Sequence, residues 1–202
     1  MQANIACLMG VSEGKPGELP IRLISVIRGT RKIPNIMSEM PAHDPNPRLS
    51  RPPILLATWF GAGLLPKAPG TWGSAAALPF AWVIADWGGA LALALATLAV
   101  FCVGCWAADA YVREVGGEDP GPVVIDEVAG QWLTLLVVAP DPLLYMLGFA
   151  FFRIADIFKP WPASWADRRL KGGIGIMLDD IFAGIYAAAA LYGVHQMINR
   201  GL

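Results

Sequence analysis

Charged side chains are scarce in this sequence of 202 residues. Asp, Glu, Lys and Arg make up 15% of the chain, whereas an ordinary soluble domain carries about 25%. Hydrophobic residues make up 55%, which excludes disorder of most of the chain because apolar burial can offset the entropy of ordering. The net charge of −1 argues against a nucleic-acid partner, since it offers no attractive field to a phosphate backbone. With so few polar side chains to cover a water-soluble surface, the composition predicts association with a lipid bilayer.

Cysteine and histidine are also rare, and neither is placed for chemistry. Cys102 and Cys105 lie inside an apolar run without a neighbouring charge or histidine, which predicts a packing role. His43 belongs to the N-terminal segment, and His195 lies near the end of the last apolar run. Catalysis by a cysteine or histidine nucleophile is therefore not expected.

The first 50 residues differ from the rest of the chain. They show no sustained helical or alternating pattern, and they are interrupted by Pro16, Pro20, Pro34, Pro41, Pro45 and Pro47. This composition predicts a poorly ordered N-terminal lead-in over residues 1–50, followed by one domain over residues 51–202. Because Met37 and Met40 stand just ahead of the apolar domain, we expect the natural protein to start at one of them.

The apolar runs of the domain predict helices. They carry no charge and lie at residues 71–85, 88–108, 128–139, 143–152 and 181–199. Enrichment in Ala and Leu favours helix, and no run alternates as a strand would. Only residues 88–108 and 181–199 reach the length of a full membrane span. The sequence therefore predicts an all-α fold, a compact multi-helical bundle that is embedded in a membrane or associated with one.

The charged connections between these runs are expected mainly at one end of the bundle. If each run crosses the bundle once, residues 86–89 and 140–142 lie at one end, whereas Lys67, residues 109–127 and residues 153–180 lie at the other. The second end is rich in Lys and Arg, so the positive-inside rule places it on the cytoplasmic face.

Two charged motifs stand at predicted helix starts. Lys67 begins the sequence Lys-Ala-Pro-Gly-Thr-Trp-Gly. A lysine ahead of a helix N-terminus can attract an anion, although a capped turn beside an extended lysine explains the motif equally well. Asp126 and Glu127 open an apolar helix, where adjacent carboxylates suit a hard cation such as Mg²⁺. The alternative is that these acids only complement the helix dipole.

A third motif lies at the end of the fourth apolar run. Arg153, Asp156 and Lys159 recur at intervals of three, so they share one face of a helix that Pro160 ends. A salt-bridged surface and a site for metal and phosphate are both compatible with this spacing.

The fourth motif leads into the last run. Lys171-Gly-Gly-Ile-Gly is followed by Asp179 and Asp180. The glycines either permit close approach of an anion ahead of the last helix or form a flexible charged turn. Because all four motifs share one end of the bundle and alternate acids with cations, together they indicate a phosphate bound with a divalent metal.

These motifs resemble those of the phosphatidylglycerophosphatase A family. They occur in family order over about residues 55–195 and read Lys67-Ala-Pro-Gly-Thr-Trp-Gly, Ile125-Asp-Glu-Val-Ala-Gly-Gln-Trp, Arg153-Ile-Ala-Asp-Ile-Phe-Lys-Pro-Trp-Pro and Lys171-Gly-Gly-Ile-Gly-Ile-Met-Leu-Asp-Asp. The resemblance implies an all-helical, Mg²⁺-dependent lipid phosphatase of the bacterial inner membrane. Its implied reaction converts phosphatidylglycerophosphate and water to phosphatidylglycerol and phosphate, the last step of phosphatidylglycerol synthesis.

The motifs and the resemblance together define a predicted site. Mg²⁺ ligands are expected among the carboxylates Asp126, Glu127, Asp156, Asp179 and Asp180. The catalytic residues, which include a base for the attacking water, are expected to be Asp126, Glu127, Asp156 and Asp180. The substrate phosphate is expected to contact the cations Lys67, Arg153, Lys159 and Lys171, which would also neutralise charge in the transition state. Direct attack by water and a covalent aspartyl-phosphate are both compatible with these residues.

Two alternative functions belong to other classes. A CDP-alcohol phosphatidyltransferase is also a Mg²⁺-dependent membrane enzyme, but its long Asp-Gly, Ala-Arg, Asp and Asp signature has no counterpart here. A small helical transporter or scaffold would place charges inside its spans. The runs at residues 88–108 and 181–199 contain none, which favours the enzyme.

Overall fold

The structure is a computed structural model that describes residues 49–117 and 119–201. All regular secondary structure in these ranges is helical, which confirms the predicted all-α class. The predicted lead-in over residues 1–50 lies outside the described residues except for its last two positions. The expected start at Met37 or Met40 also lies outside them.

Six α-helices and one short 3-10 helix form the described fold. In chain order they are α1 (Pro52–Ala57), the 3-10 helix (Ala62–Leu64), α2 (Pro69–Val115), α3 (Ile125–Leu135), α4 (Pro142–Phe158), α5 (Ala163–Arg169) and α6 (Gly172–Asn199). The helix α3 packs mainly against α2 and α6, and α6 also contacts α4 and α5.

The long helix α2 doubles back at Gly89. This residue has φ 68° and ψ −170°, a conformation essentially restricted to glycine. Near the start of α2, Gly70 lies against the side chain of Glu127. Much later in α2, Gly104 lies against Ile125. A straight helix of 47 residues would be about 70 Å long and could not make both contacts. The prediction of two apolar helices joined by a short turn is therefore confirmed.

The two ends of the bundle differ as the sequence predicts. Gly89 and Pro140 line one shallow cavity, so the two short connections share an end. At the other end, the amide of Gly173 donates a hydrogen bond to Asp109 near the end of α2. The charged connections therefore meet at the start of α6.

The last helix begins earlier than expected. The glycine-rich segment was predicted to be a loop ahead of Asp179 and Asp180, whereas α6 begins at Gly172 and includes it. A Cβ at Gly173 would clash with the carbonyl of Cys105, so this glycine permits close packing of α6 against α2. The two aspartates therefore lie inside α6, immediately ahead of the uncharged run at residues 181–199.

A buried tryptophan fixes α3 to α2. The indole Nε1 of Trp132 donates a 2.9 Å hydrogen bond to the carbonyl of Ala77, and Trp59 packs edge-on against the same ring. Val128 and Leu135 on α3 are fully buried, and each such side chain contributes about 1.5–3 kcal/mol by its burial. This packing fixes the position of the first turn of α3, which carries two acidic residues.

In the described part of the chain, two helices have the length and apolar composition needed to cross a membrane. They are α2 and α6. In the most apolar 18-residue window of α2 only 22% of the residues are buried, which differs from the core helix of a soluble protein. Exposed Trp87, Leu91 and Leu95 extend this apolar surface. These features indicate membrane association.

The close approach of α3 and α6 depends on two glycines. A Cβ at Gly184 would lie 2.7 Å from the carbonyl oxygen of Gly130, and a Cβ at Gly130 would lie 2.7 Å from the carbonyl oxygen of Asp180. Neither backbone can accommodate a side chain without moving the other helix.

We expect Gly184→Ala to lower the free energy of unfolding by about 1–3 kcal/mol, because overpacking a rigid contact has this cost. Gly193→Ala is the matched control, since a Cβ there meets nothing within 4 Å. It should be neutral or stabilise α6 by up to about 1 kcal/mol through helix propensity. Thermal unfolding in detergent measures both, and equal effects of the two substitutions would contradict the close contact.

Candidate active site

A polar cleft of about 230 Å³ opens where α2, α3, α4 and α6 meet at the charged end of the bundle. Most of the predicted site residues line it. Its walls are formed by Ala68, Pro69, Gly70, Asp119, Gly121, Val123, Asp126, Glu127, Arg153, Asp156, Lys159, Asp179 and Asp180. The structure thus brings together charged residues that are as far apart in the sequence as Asp119 and Asp180.

The segment before α3 is held by backbone contacts. The amide of Val124 donates a 2.9 Å hydrogen bond to the carbonyl of Ala57. Gly63 lies so close to the carbonyl of Pro122 that no Cβ would fit there. The first turn of α3 is therefore fixed, and Asp126 and Glu127 lie in that turn, near the positive end of the helix dipole.

Three carboxylates converge inside the cleft. Asp126, Glu127 and Asp180 each offer an oxygen, and these oxygens lie within 4.8 Å of one another. Asp126 and Asp180 are buried, and Glu127 is partly buried. Buried oxygens of all three, Oδ1 of Asp126, Oε2 of Glu127 and Oδ2 of Asp180, have no hydrogen-bond partner among the described residues. Such carboxylates repel one another unless a cation compensates their charge.

The pKa values reflect this crowding. Burial raises the pKa of Asp126 well above its ordinary value, and the charge of Glu127 adds to the rise. Burial also raises the pKa of Glu127 to about 8, with repulsion from Asp180 adding to it and attraction to Arg153 opposing it. Without a bound cation the cluster therefore retains protons at neutral pH. A divalent ion of the kind that prefers oxygen ligands would replace them.

Arg153 joins α4 to the start of α2. Its Nη1 forms a 2.8 Å ion pair with Asp156 Oδ2 and donates a 3.3 Å hydrogen bond to Ser74 Oγ. A Cβ at Gly70 would clash with the Glu127 carboxylate and lie 3.1 Å from Nη1 of Arg153. The absence of a side chain at Gly70 thus lets an acid and a guanidinium lie side by side.

Lys159 lies between two carboxylates. It ends α4 in the left-handed conformation, with φ 42°, and its Nζ lies 2.6 Å from Asp167 Oδ1 and 2.7 Å from Asp179 Oδ2. Burial opposes the charge of Lys159, but hydrogen bonds and attraction from the two acids outweigh it and raise its pKa above the ordinary value. Lys159 therefore stays charged in the cleft at all physiological pH values.

The predicted ligands and cations do not all converge on one point. Of the five predicted metal ligands, Asp126, Glu127 and Asp180 form the close cluster, whereas Asp156 and Asp179 pair with Arg153 and Lys159. All five line the same cleft.

Two predicted phosphate ligands lie outside the cleft. Lys171 lines a neighbouring cavity of about 130 Å³ that shares Asp119 and Asp179 with the cleft. Lys67 is exposed and does not line the cleft, although Ala68 immediately after it does.

Three polar residues of the site were not predicted from the sequence. Asp119 lines both cavities, and burial raises its pKa. Its position in the motif that leads to Asp126 was a usable signal. Asp167 contacts Lys159 and belongs to the charged segment before Lys171. Ser74 lies inside an apolar run, and nothing in its spacing marked it.

Comparison with known proteins identifies one family and two relatives that carry its name. The sequence profile of the family described as Phosphatidylglycerophosphatase A matches residues 55–195. A protein of Escherichia coli (strain K12) named Phosphatidylglycerophosphatase A is 40% identical over 146 residues, which is 72% of this chain and 84% of the relative. A protein of Haemophilus influenzae (strain Rd) with the same name is 35% identical over 147 residues, 72% of this chain and 90% of the relative.

One further relative carries a different name. A protein of Bacteroides thetaiotaomicron, 39% identical over 148 residues, is named provisionally as a phosphatidylinositol-3-phosphatase. The match covers 67% of this chain and 88% of the relative. No solved structure matches the chain.

In EDTA the melting temperature should fall as the pH rises from about 5 to 8. Glu127 keeps its proton in the folded protein up to about pH 8, whereas the unfolded chain releases it near the ordinary value of 4.5. The folded state thus binds more protons in this window, and a higher pH destabilises it. One retained proton is worth about 1.4 kcal/mol per pH unit, or about 3–5 °C in a protein of this size.

The substitution Glu127→Gln should make this slope shallower. Asp86→Asn, at an exposed position outside the cleft, should leave it unchanged. Thermal unfolding at several pH values in EDTA measures the slope. A wild-type melting temperature that stays level or rises over this range would contradict the buried acidic cluster.

Proposed function

The chain belongs to the phosphatidylglycerophosphatase A family, and on that premise we propose that it hydrolyses phosphatidylglycerophosphate to phosphatidylglycerol and phosphate with Mg²⁺ as cofactor. The observation that carries the proposal is the buried cluster of Asp126, Glu127 and Asp180 in one cleft with Arg153 and Lys159. The cluster is suited to a hard cation, and the two basic side chains are suited to a phosphate.

The residues present fit Mg²⁺. The cluster is made only of carboxylates, the donor type that Mg²⁺ prefers over nitrogen or sulfur, and its buried oxygens lack hydrogen-bond partners in the described part of the chain. Asp126, Glu127 and Asp180 would hold the ion, with Asp156 and Asp179 close by. When bound, Mg²⁺ supplies positive charge that polarises a phosphoryl oxygen and stabilises the transition state.

The basic residues of the cleft would bind and orient the phosphate. A phosphomonoester carries nearly two negative charges near neutral pH, and its removal from water requires compensation. Arg153 presents a planar group that can donate two parallel hydrogen bonds to phosphate oxygens. Asp156 and Asp179 hold Arg153 and Lys159 in place before the substrate arrives. Lys67 and Lys171 would attract the anion from outside the cleft.

The carboxylates would also manage the proton of the attacking water. A base in this position must lie within hydrogen-bond reach of the water, and Asp126, Glu127, Asp156 and Asp180 all line the cleft. Direct attack by water and a covalent aspartyl-phosphate differ in one observable. Acid quenching during turnover traps phosphate on an aspartate only in the covalent route.

We place the protein in the bacterial inner membrane with the cleft on the cytoplasmic side. The apolar surfaces of α2 and α6 support membrane insertion. The end that carries the cleft holds the basic residues Arg113, Arg153, Lys159, Arg168, Arg169 and Lys171, as the positive-inside rule requires of a cytoplasmic face. In this position the enzyme would complete phosphatidylglycerol synthesis.

The headgroup is the part of the substrate that needs the sharpest test. One relative is named for phosphatidylinositol 3-phosphate, whereas the other relatives are named for phosphatidylglycerophosphate. Both named substrates carry a phosphomonoester on a lipid headgroup. We expect the purified protein to release phosphate faster from phosphatidylglycerophosphate than from phosphatidylinositol 3-phosphate in matched detergent micelles. The reverse preference would reassign the substrate while retaining the phosphatase chemistry.

Hydrolysis of phosphatidylglycerophosphate should require Mg²⁺ and the acidic cluster. We expect EDTA to abolish phosphate release, and Asp126→Asn or Asp180→Asn to lower kcat at least about 100-fold, as the loss of a strong electrostatic contact does in other active sites. Asp86→Asn is the matched control because Asp86 is exposed and does not line the cleft. Full activity in EDTA, or of both cluster variants, would overturn the metal assignment.

Arg153→Lys should lower kcat/KM about 10- to 100-fold. The substitution keeps the positive charge but removes the planar pair of donors, and one charge-assisted hydrogen bond contributes about 1.5–3 kcal/mol. Arg113→Lys, at an exposed position in the last turn of α2, is the control and should change kcat/KM less than twofold. Steady-state phosphate release measures both. An unchanged kcat/KM of the Arg153→Lys enzyme would exclude recognition of phosphate by paired hydrogen bonds from the guanidinium.

A further inference from the structure

The cavity next to the cleft is small and carries both signs of charge. Its volume is about 130 Å³, well above the roughly 10–15 Å³ that a single water needs, so it has room for a group such as a phosphate. We call it the side cavity. It is lined by Asp119, Asp167, Arg168, Leu170, Lys171, Gly175, Ile176 and Asp179.

The side cavity is continuous with the cleft. Asp119 and Asp179 line both of them, so one molecule can reach from one into the other. On α6, Gly175 lies four residues before Asp179, and Ile176 lies four residues before Asp180. Residues at this spacing share a helix face. The face of α6 that carries the two aspartates therefore continues into the side cavity.

The basic segment of the side cavity is held against α6. A Cβ at Gly175 would lie 2.4 Å from the carbonyl oxygen of Leu170, so only a glycine lets the two backbones approach this closely. The amide of Leu170 donates a 2.8 Å hydrogen bond to the carbonyl of Ala166. These backbone contacts fix the segment that presents Arg168 and Lys171 to the cavity.

Arg168 carries a charge that no acid in the described part of the chain neutralises. Its Nε donates a 2.8 Å hydrogen bond to the carbonyl of Ser164, one turn earlier in α5, and the ion pairs of the described residues do not include it. In this respect it differs from Arg153 and Lys159, which both pair with acids. An anion in the side cavity would supply the missing partner.

The acids of the side cavity do not exclude an anion. Asp167 and Asp179 lie 2.6 and 2.7 Å from Nζ of Lys159. Burial raises the pKa of Asp119, and attraction to the same lysine opposes the rise. Together with Lys159, the cations Arg168 and Lys171 balance the three acids, so an arriving anion meets no excess of negative charge.

Exposed apolar residues flank the side cavity. Trp165 lies one turn before Arg168 in α5 and is 46% exposed, and Ile174 precedes Gly175 in α6 and is 57% exposed. Tryptophan is enriched in the headgroup layer of a membrane. The phosphodiester of a phospholipid lies in that layer, so the surroundings of the side cavity suit such a group.

The geometry points to a second phosphate site in the side cavity, where Arg168 and Lys171 bind the phosphodiester of the substrate while its phosphomonoester lies in the cleft. This inference rests on the proposed function, because phosphatidylglycerophosphate carries both groups, joined by one glycerol. The two cavities, joined through Asp119 and Asp179, match this arrangement of two phosphates.

The second phosphate site would select the headgroup and orient it. A lipid whose phosphomonoester is attached directly to its diacylglycerol has no second phosphate to offer. Binding of the phosphodiester, which does not react, would hold the phosphomonoester over the acidic cluster and so favour its hydrolysis. The effect is expected in kcat/KM.

A matched pair of substrates tests the site. One is dioleoyl phosphatidylglycerophosphate, and the other is the same lipid with a methyl ester that removes the charge of the phosphodiester. The readout is the preference, which is the ratio of their kcat/KM values in neutral detergent micelles. We expect the wild-type enzyme to prefer the charged substrate about tenfold, as a charge-assisted hydrogen bond predicts.

Two neighbouring arginines give the matched variants. Arg168→Gln should reduce the preference to about twofold, whereas Arg168→Lys, which keeps the charge, should retain most of it. Arg169→Gln is the control, because Arg169 is exposed and lines neither cavity. It should keep the wild-type preference.

The outcomes separate this inference from the proposed function. If the wild-type enzyme hydrolyses neither substrate with Mg²⁺, the proposed function is wrong. If it hydrolyses phosphatidylglycerophosphate but shows no preference, or if Arg168→Gln keeps the full preference, the second phosphate site is wrong and the phosphatase assignment stands.

A further measurement uses the wild-type protein alone. The product phosphatidylglycerol retains the phosphodiester and lacks the phosphomonoester. We expect it to inhibit hydrolysis competitively, with an inhibition constant about tenfold lower than that of its methyl ester in the same micelles. Equal inhibition by the two lipids, or none by either, would overturn the inference.

Discussion

The mutual repulsion of buried carboxylates is the constraint on which the rest of the structure depends. Asp126, Glu127 and Asp180 are held within a few ångström of one another in surroundings that raise the pKa of the first two. The dipole of α3 offsets only part of this cost, because Asp126 and Glu127 lie in its first turn. Packing elsewhere must offset the rest. The close contact of Gly130 with Gly184 and the tryptophan bond from α3 to α2 keep the helices together despite it. An acidic cluster maintained in this way supports the proposal of a bound cation.

The same packing places a charged cleft beside apolar surfaces. The cleft occupies one end of a bundle whose sides expose apolar residues such as Leu91 and Leu95, so polar and apolar surfaces lie on different parts of the same helices. Arg153 and Lys159 already pair with acids in the cleft, and this keeps buried positive charges satisfied before an anion arrives. The two cations therefore have charge partners in the structure without any bound anion.

Local sequence signals predicted the helices well and their boundaries less well. The turn between the two arms of α2 follows from Gly88-Gly89, because only glycine adopts the conformation found at Gly89. The start of α6 could not be predicted in this way, since Gly172, Gly173 and Gly175 disfavour helix by their intrinsic propensity. Contacts of Gly173 with Cys105 and Asp109 keep that segment helical. Tertiary packing overrode local propensity there.

By itself the sequence determined the class of the fold, the charged end of the bundle and the residue types of the site, because hydrophobic periodicity and charge placement are properties of the chain alone. It also carried the motifs that resemble the family. Only the tertiary structure decided which acids converge: it grouped Asp126 and Glu127 with Asp180, paired Asp156 and Asp179 with cations, and left Lys67 outside the cleft. The physical reason is that distances between residues on different helices depend on how the helices pack. The spacing of residues along one helix carries no information about that packing.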